Sequence, residues 1–313
     1  MRDYERFRSI LAPVAGVRFV RSQPGSDESK FRPSKASDPV DAELLEGEFC
    51  AIQVKDQQFS GFTHFLDGAQ WVRPVAYHGL YPILFAHVSA ALCERKEREL
   101  AGPKPEQIRT TEMVLAPAGV LVRDPQVREV EVDKTDPLTK YHDLIGNERG
   151  ALEKELARGF EDGCLLVDGG IEGIVEDNDP RVIVGLVKSH DTQYFASPER
   201  VQTIVDLRAG QRTSAFVRPV QAKNGKIATS FYLKMREDRH AGPFFGLARV
   251  EVAATPAMLG RLDEIAAWLL FERAPASLPD PRYDRLVYPI HLVEKFLKSR
   301  QPSEAMMSQI TRL

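Results

Sequence analysis

Apolar residues along this chain fall into short blocks separated by glycine, proline and charge, and the period of the blocks changes as the chain proceeds. Residues 63–67, 71–77 and 81–88 are compact or alternating runs, and His78 and Gly79 supply a turn between the second and third, so a meander of strands is expected. The alternation over 127–132 predicts a half-exposed strand. From 141 to 160 the period becomes helical: Ile145, Leu152, Leu156 and Phe160 fall near one face, and Gly159 and Gly163 end the segment. Strand-like runs return at 164–167, 181–187, 230–235 and 246–252. Pro198 opens a helix over 198–205, and Thr255 and Pro256 cap and start a longer one through Phe271. The C-terminus is helical from about His291. Strands, a helix, then more strands and helices make an α/β protein with an additional C-terminal helical part.

Composition narrows the class without naming a function. Hydrophobic residues make up 43% of 313 residues, enough for a sizeable core. The net charge of −3 neither requires nor forbids a nucleic-acid partner, so any contact with DNA must come from a local basic surface. Cys50, Cys93 and Cys164 lie far apart, which argues against a zinc ribbon or a disulfide framework and for a reducing compartment. No apolar run reaches the ~18 residues of a membrane span and no secretory core is visible at the N-terminus, so a cytoplasmic protein is expected. Residues 1–20 suggest a short helix and a small strand over 16–20. Residues 22–41, rich in Ser, Pro, Asp and Lys, predict a mobile linker. The expected division is an N-terminal extension, 1–43, and a single domain, 44–313. The charge run from Glu94 to Glu99 predicts a solvated helix face or loop.

Candidate chemistry is concentrated at two strand ends. The run Cys164, Leu165, Leu166, Val167 stops abruptly at Asp168, Gly169 and Gly170, and His64, Phe65, Leu66, Asp67, Gly68 repeats the pattern. A lone Asp-Gly more often makes a turn; two strands that each end in such an acid point instead to a shared site. Metal-dependent phosphodiester hydrolysis needs two or three converging carboxylates, because they hold the divalent ions that activate water and stabilise the leaving oxygen. If the two strands are parallel neighbours, Asp67 and Asp168 reach one edge, and the helix before the second strand is the source of a third acid. A five-residue strand climbs roughly 16 Å. Matching that climb takes about eleven helical residues back from Gly159, which selects Glu148. Glu153 should sit too low unless the loop shifts, and Glu155 should face solvent.

In this order, Asp67 and Gly68, the helix bearing Glu148, the 164–170 run, Val184-Gly185-Leu186-Val187-Lys188, Phe231-Tyr232-Leu233-Lys234, Ala248-Arg249-Val250-Glu251-Val252 and Tyr288-Pro289-Ile290-His291-Leu292 resemble the NurA nuclease family. The resemblance covers about residues 63–300. It implies an RNase H-like mixed sheet flanked by helices. It also implies a manganese-dependent deoxyribonuclease, with magnesium as the alternative ion, of the 5′–3′ exonuclease and single-strand endonuclease type. The implied setting is DNA end resection and double-strand break repair, as a homodimer acting on single- or double-stranded ends beside a HerA-type hexameric ATPase. Asp67, Glu148 and Asp168 would be the metal-binding acids and Lys188 would face phosphate. Arg249 and Glu251 match an Arg-x-Glu strand that serves either the site or an internal ion pair. The family's C-terminal histidine aligns with Phe296; His291, earlier in the same helix, either replaces it or is a capping or surface residue.

Two other classes compete. An actin-like ATPase would use the Asp-x-Gly spacing at Asp168, but Ile171 stands where a hydroxyl is expected and no late Gly-Gly motif follows. A DNA-binding or adaptor subunit of a HerA-type complex with decayed chemistry would not benefit from two mutually repelling acids. Arg73, Lys188 and Arg212 are the residues expected to line a DNA path.

Overall fold

The computed structural model describes residues 42–303 apart from 79–80, 119–126, 132–137, 177, 191, 219–227 and 239. The expected N-terminal helix, strand and linker lie outside the described residues. Ala42, the first described residue, is buried and its N–H donates to the Tyr194 carbonyl at 3.0 Å.

Among the described residues, twelve strands form one mixed sheet. In chain order they are β1 (Ala51–Gln53), β2 (His64–His78), β3 (Tyr81–Lys96), β4 (Glu99–Leu100), β5 (Ile108–Pro117), β6 (Val127–Val130), β7 (Cys164–Asp168), β8 (Val182–Val187), β9 (Gln211–Thr213), β10 (Phe216–Arg218), β11 (Ala228–Lys234) and β12 (Leu247–Ala253). The helices are α1 (Thr139–Arg158), α2 (Pro198–Val205), α3 (Pro256–Leu259), α4 (Leu262–Phe271) and α5 (Tyr288–Ser299). Along the sheet the order is β1-β9-β11-β12-β8-β7-β2-β3-β5-β6. Its middle is an antiparallel meander, β2-β3-β5, followed through α1 by β7 and β8, which run parallel to β2. This is a large mixed sheet flanked by helices, the α/β class that the sequence predicts.

Helices cover both faces, as a sheet with apolar residues on both sides requires. Tyr141, Ile145, Leu152 and Leu156 of α1 pack on Leu66, Leu165 and Val167. On the other side α4 and α5 pack on Phe65, Ala69, Leu166 and Val184. The Ser197 hydroxyl accepts from the Arg200 N–H, and Thr255 does the same for Met258, so α2 and α3 begin where the cap and proline signals place them. The expected 255–271 helix is interrupted at Gly260 and continues as α4.

Two expectations change. The segments 63–67 and 71–77 are one strand, β2, because residues 68–70 between them continue the pairing with β3; Pro74, inside the second segment, is accommodated at a bulge. The Glu94-to-Glu99 run is the end of β3, a turn at Glu97 (φ 56°) and β4, not a helix face. It is held there because Arg95 points inward, donating to Glu272 at 2.6 and 2.8 Å. Among the described residues no helix is long and apolar enough to cross a membrane, and the three cysteines are free.

Candidate active site

Register brings the two aspartates together. β2 pairs with β7 through Phe65↔Leu166 and Leu66↔Val167, so the next step sets Asp67 level with Asp168. Pairing then stops because β7 ends, while β2 continues for eleven more residues to His78. Side chains alternate on a strand, which puts Asp67 on the face of Phe65 and Ala69, and Gly68 on the face of α1. A Cβ on Gly68 would lie 2.1 Å from Glu153 Oε1 and 2.8 Å from Arg149 Cγ. The bare glycine is therefore the gap through which α1 delivers a carboxylate to the aspartates.

That carboxylate belongs to Glu153. Asp67 is 7% exposed, and its carboxyl is held well above the usual range, first by burial and then by the Asp168 carboxylate. Lys188 pulls it back down, and Glu153 adds to the rise. The Gly68 N–H donates to Asp67 Oδ1 at 2.8 Å. Glu153 is pushed up to about 7, chiefly by burial; Arg149, whose Nε stands 3.4 Å away, opposes that rise and Asp168 adds to it. Lys188 Nζ lies 2.6 Å from Asp168 Oδ1, both side chains about a quarter exposed. Three acids and two cations thus share one pocket of charge.

Glu148 is not in this group. Its Oε2 accepts from Arg128 Nη1 on β6 at 3.0 Å. Placing the helical Cα level with Asp168 overshot, because a helical side chain leans toward the N-terminus and covers the turn before its own Cα. A long glutamate rooted lower on α1 reaches the same point. Glu155 is exposed and pairs with Arg109, as expected of a solvent-facing residue. His291 is buried in the first turn of α5, with its Nδ1 3.8 Å from Asp280. Burial lowers its pKa, Lys295 adds to this, and Asp280 and Glu294 oppose it. The charged groups around His291 are thus Asp280, Arg282, Glu294 and Lys295, a different set from the acids of the site. Phe296 packs against the core beneath α5.

Of the residues expected along a DNA path, Lys188 is at the site and Arg73 is exposed on β2, 5.4 Å from the Trp71 ring centre. Arg212 is not available: its side chain is 4% exposed and clamped by Glu46 at 2.6 Å and Asp263 at 2.5 Å. Gly68 and Arg149 were not visible as site residues in the sequence. The one signal for Gly68 was its place directly after a strand-borne acid.

Among the described residues, no three His, Cys, Asp or Glu side chains stand as a ready coordination shell. The donor chemistry nevertheless fits a hard divalent cation: Asp67, Glu153 and Asp168 offer only carboxylate oxygens, and their mutual repulsion is relieved by positive charge.

The raised acids set a pH dependence. Glu153 binds its proton more tightly folded than unfolded, so between its ordinary value of 4.5 and about 7 the native state holds the extra proton. Stability of the metal-free protein therefore falls as pH rises through that window, and Asp67 acts in the same direction. Denaturant midpoints at pH 5 and pH 7.5 should show Glu153→Gln gaining on wild type by on the order of 2 kcal/mol at the higher pH. An equal offset at both values would mean the carboxyl is not strained.

In fold comparisons, the crystal structure of the NurA nuclease from Sulfolobus solfataricus is similar over 99% of this chain and 91% of its own, with a TM-score of 0.43 and 11% identity. No family profile matches the chain, and no curated protein does. At that identity the functional reading rests on the carboxylates themselves.

Proposed function

We propose that this protein is a metal-dependent deoxyribonuclease whose divalent ions are held by Asp67, Asp168 and Glu153. The observation that carries the reading is the meeting of two strand-borne aspartates, level in register, with a half-buried glutamate from the crossover helix. Such a cluster opposes folding unless a cation uses it. A bound ion would supply a nucleophile at neutral pH and charge stabilisation at the leaving oxygen. Asp67, the most buried of the three, would fix the ion's position, and Glu153 would close the shell from the α1 side. Lys188, now on Asp168, is placed to turn toward a phosphate oxygen once a divalent ion takes over that carboxylate. His291 has no part in this assignment. Manganese is the ion put forward, with magnesium as the alternative. Linear DNA is the substrate, and a homodimer working beside a HerA-type translocase belongs to the same reading.

Because the ion binds only the native arrangement, manganese at about 100 times its dissociation constant should stabilise the protein by roughly 2.7 kcal/mol, about 5 °C or more in Tm for a domain of this size. Asp67→Ala should abolish that increment in a thermal melt. A manganese shift retained in full by Asp67→Ala would remove Asp67 from the site.

A further inference from the structure

Three motifs far apart in sequence meet behind Asp168. Gly185 of β8 is in register opposite Glu251 of β12. A Cβ on Gly185 would lie 2.6 Å from the Gly169 carbonyl oxygen, so the bare strand position is what lets the 168–171 turn lie against β8. Gly169 itself has φ +135°, open to glycine, and its N–H donates to the Leu186 carbonyl at 3.0 Å. Glu251 then reaches across. Its Oε2 accepts from the Ile171 N–H at 3.0 Å, and a Cβ on Gly170 would stand 2.9 Å from that same oxygen.

The carboxylate that does this is fully buried. Its other oxygen is paired with Arg249 Nη1. Arg249 also donates to Ser230 Oγ at 3.4 Å and lies 4.9 Å from the Tyr194 ring centre. A buried ion pair that only joined residues of one strand would contribute little, since apolar residues of similar volume do as well or better. Here one carboxylate oxygen goes to the main chain of the turn that begins at Asp168.

We infer that Glu251 is a positioning residue: its Oε2 pins the 168–171 turn so that the Asp168 carboxylate faces Asp67, while Arg249 neutralises its buried charge. The consequence for metal binding rests on the proposed nuclease site; the pinning does not. Outer partners of this kind typically change metal affinity 10- to 100-fold when removed.

Two double variants isolate the acceptor oxygen. Arg249→Met with Glu251→Gln removes both charges and keeps an oxygen for the Ile171 N–H; Arg249→Met with Glu251→Leu removes the oxygen as well. Amide exchange at Ile171 is read without metal, and manganese affinity is read by titration of free Mn²⁺. The Leu double variant should exchange at least about 10-fold faster at Ile171 and bind manganese about 10-fold or more weakly, while the Gln double variant stays within a few-fold of wild type. Equal exchange in the two variants overturns the pinning. Faster exchange with unchanged manganese affinity overturns the positioning role. If wild type itself binds no manganese, the nuclease reading fails, and Ile171 exchange alone decides whether Glu251 pins the turn. Should the Leu variant not fold, Gly170→Ala pushes on Glu251 Oε2 with the ion pair left in place, and the same faster exchange is expected.

Discussion

Asp168→Ala should lose manganese-dependent DNA cleavage by on the order of 1,000-fold or more, because an ion held by these acids contributes several kcal/mol of transition-state stabilisation and each ~1.4 kcal/mol is tenfold in rate. The same substitution should not destabilise the metal-free protein. The Asp168 carboxylate raises Asp67 and adds to the rise at Glu153, and its pairing with Lys188 is partly exposed, so that contact contributes little. A steady-state assay with a chemical-denaturation curve on the same preparation checks both halves. Large loss of activity with unchanged or raised stability identifies a functional acid; loss of both would mark Asp168 as structural.

The second large effect separates two glutamates on one helix. Glu153→Ala should lower cleavage by a factor comparable to Asp168→Ala, whereas Glu148→Ala should stay within a few-fold of wild type, since its Arg128 contact is a partly exposed ion pair. Manganese titrations on the two variants decide it. If Glu148→Ala were the inactive one, α1 would have to turn or slide to exchange the two residues when the ion binds.

These two glutamates also show where sequence reasoning stops. The α/β class and α1 itself follow from periodicity, and the acids at the ends of two apolar runs point to a shared site on the condition that their strands are parallel neighbours, which the pairing of β2 with β7 meets. Which turn of α1 reaches those acids depends on the offset of a helix along a sheet and on the lean of its side chains, and neither leaves a trace in periodicity. The sequence pattern divides β2 at 68–70, where Gly68 interrupts the apolar run, and keeps Pro74 within the second segment. Gly68 is bare to admit Glu153, and Pro74 is tolerated at a bulge beyond the end of β7. Arg212 reads as a free basic residue only until Glu46 and Asp263, distant in sequence, are seen to enclose it. Glu251 gave the opposite difficulty. An Arg-x-Glu strand fits an internal pair or a site role equally, and only the register opposite Gly185 shows one carboxylate serving both the pair and the Asp168 turn.

Asp67, Glu153 and Asp168 are proposed to form a divalent-ion centre that hydrolyses DNA. Its most direct test is cleavage of linear DNA by the purified wild-type protein with manganese and after chelation. Cleavage that requires manganese and stops on chelation is the predicted result; no cleavage with manganese, or cleavage indifferent to chelation, would contradict it.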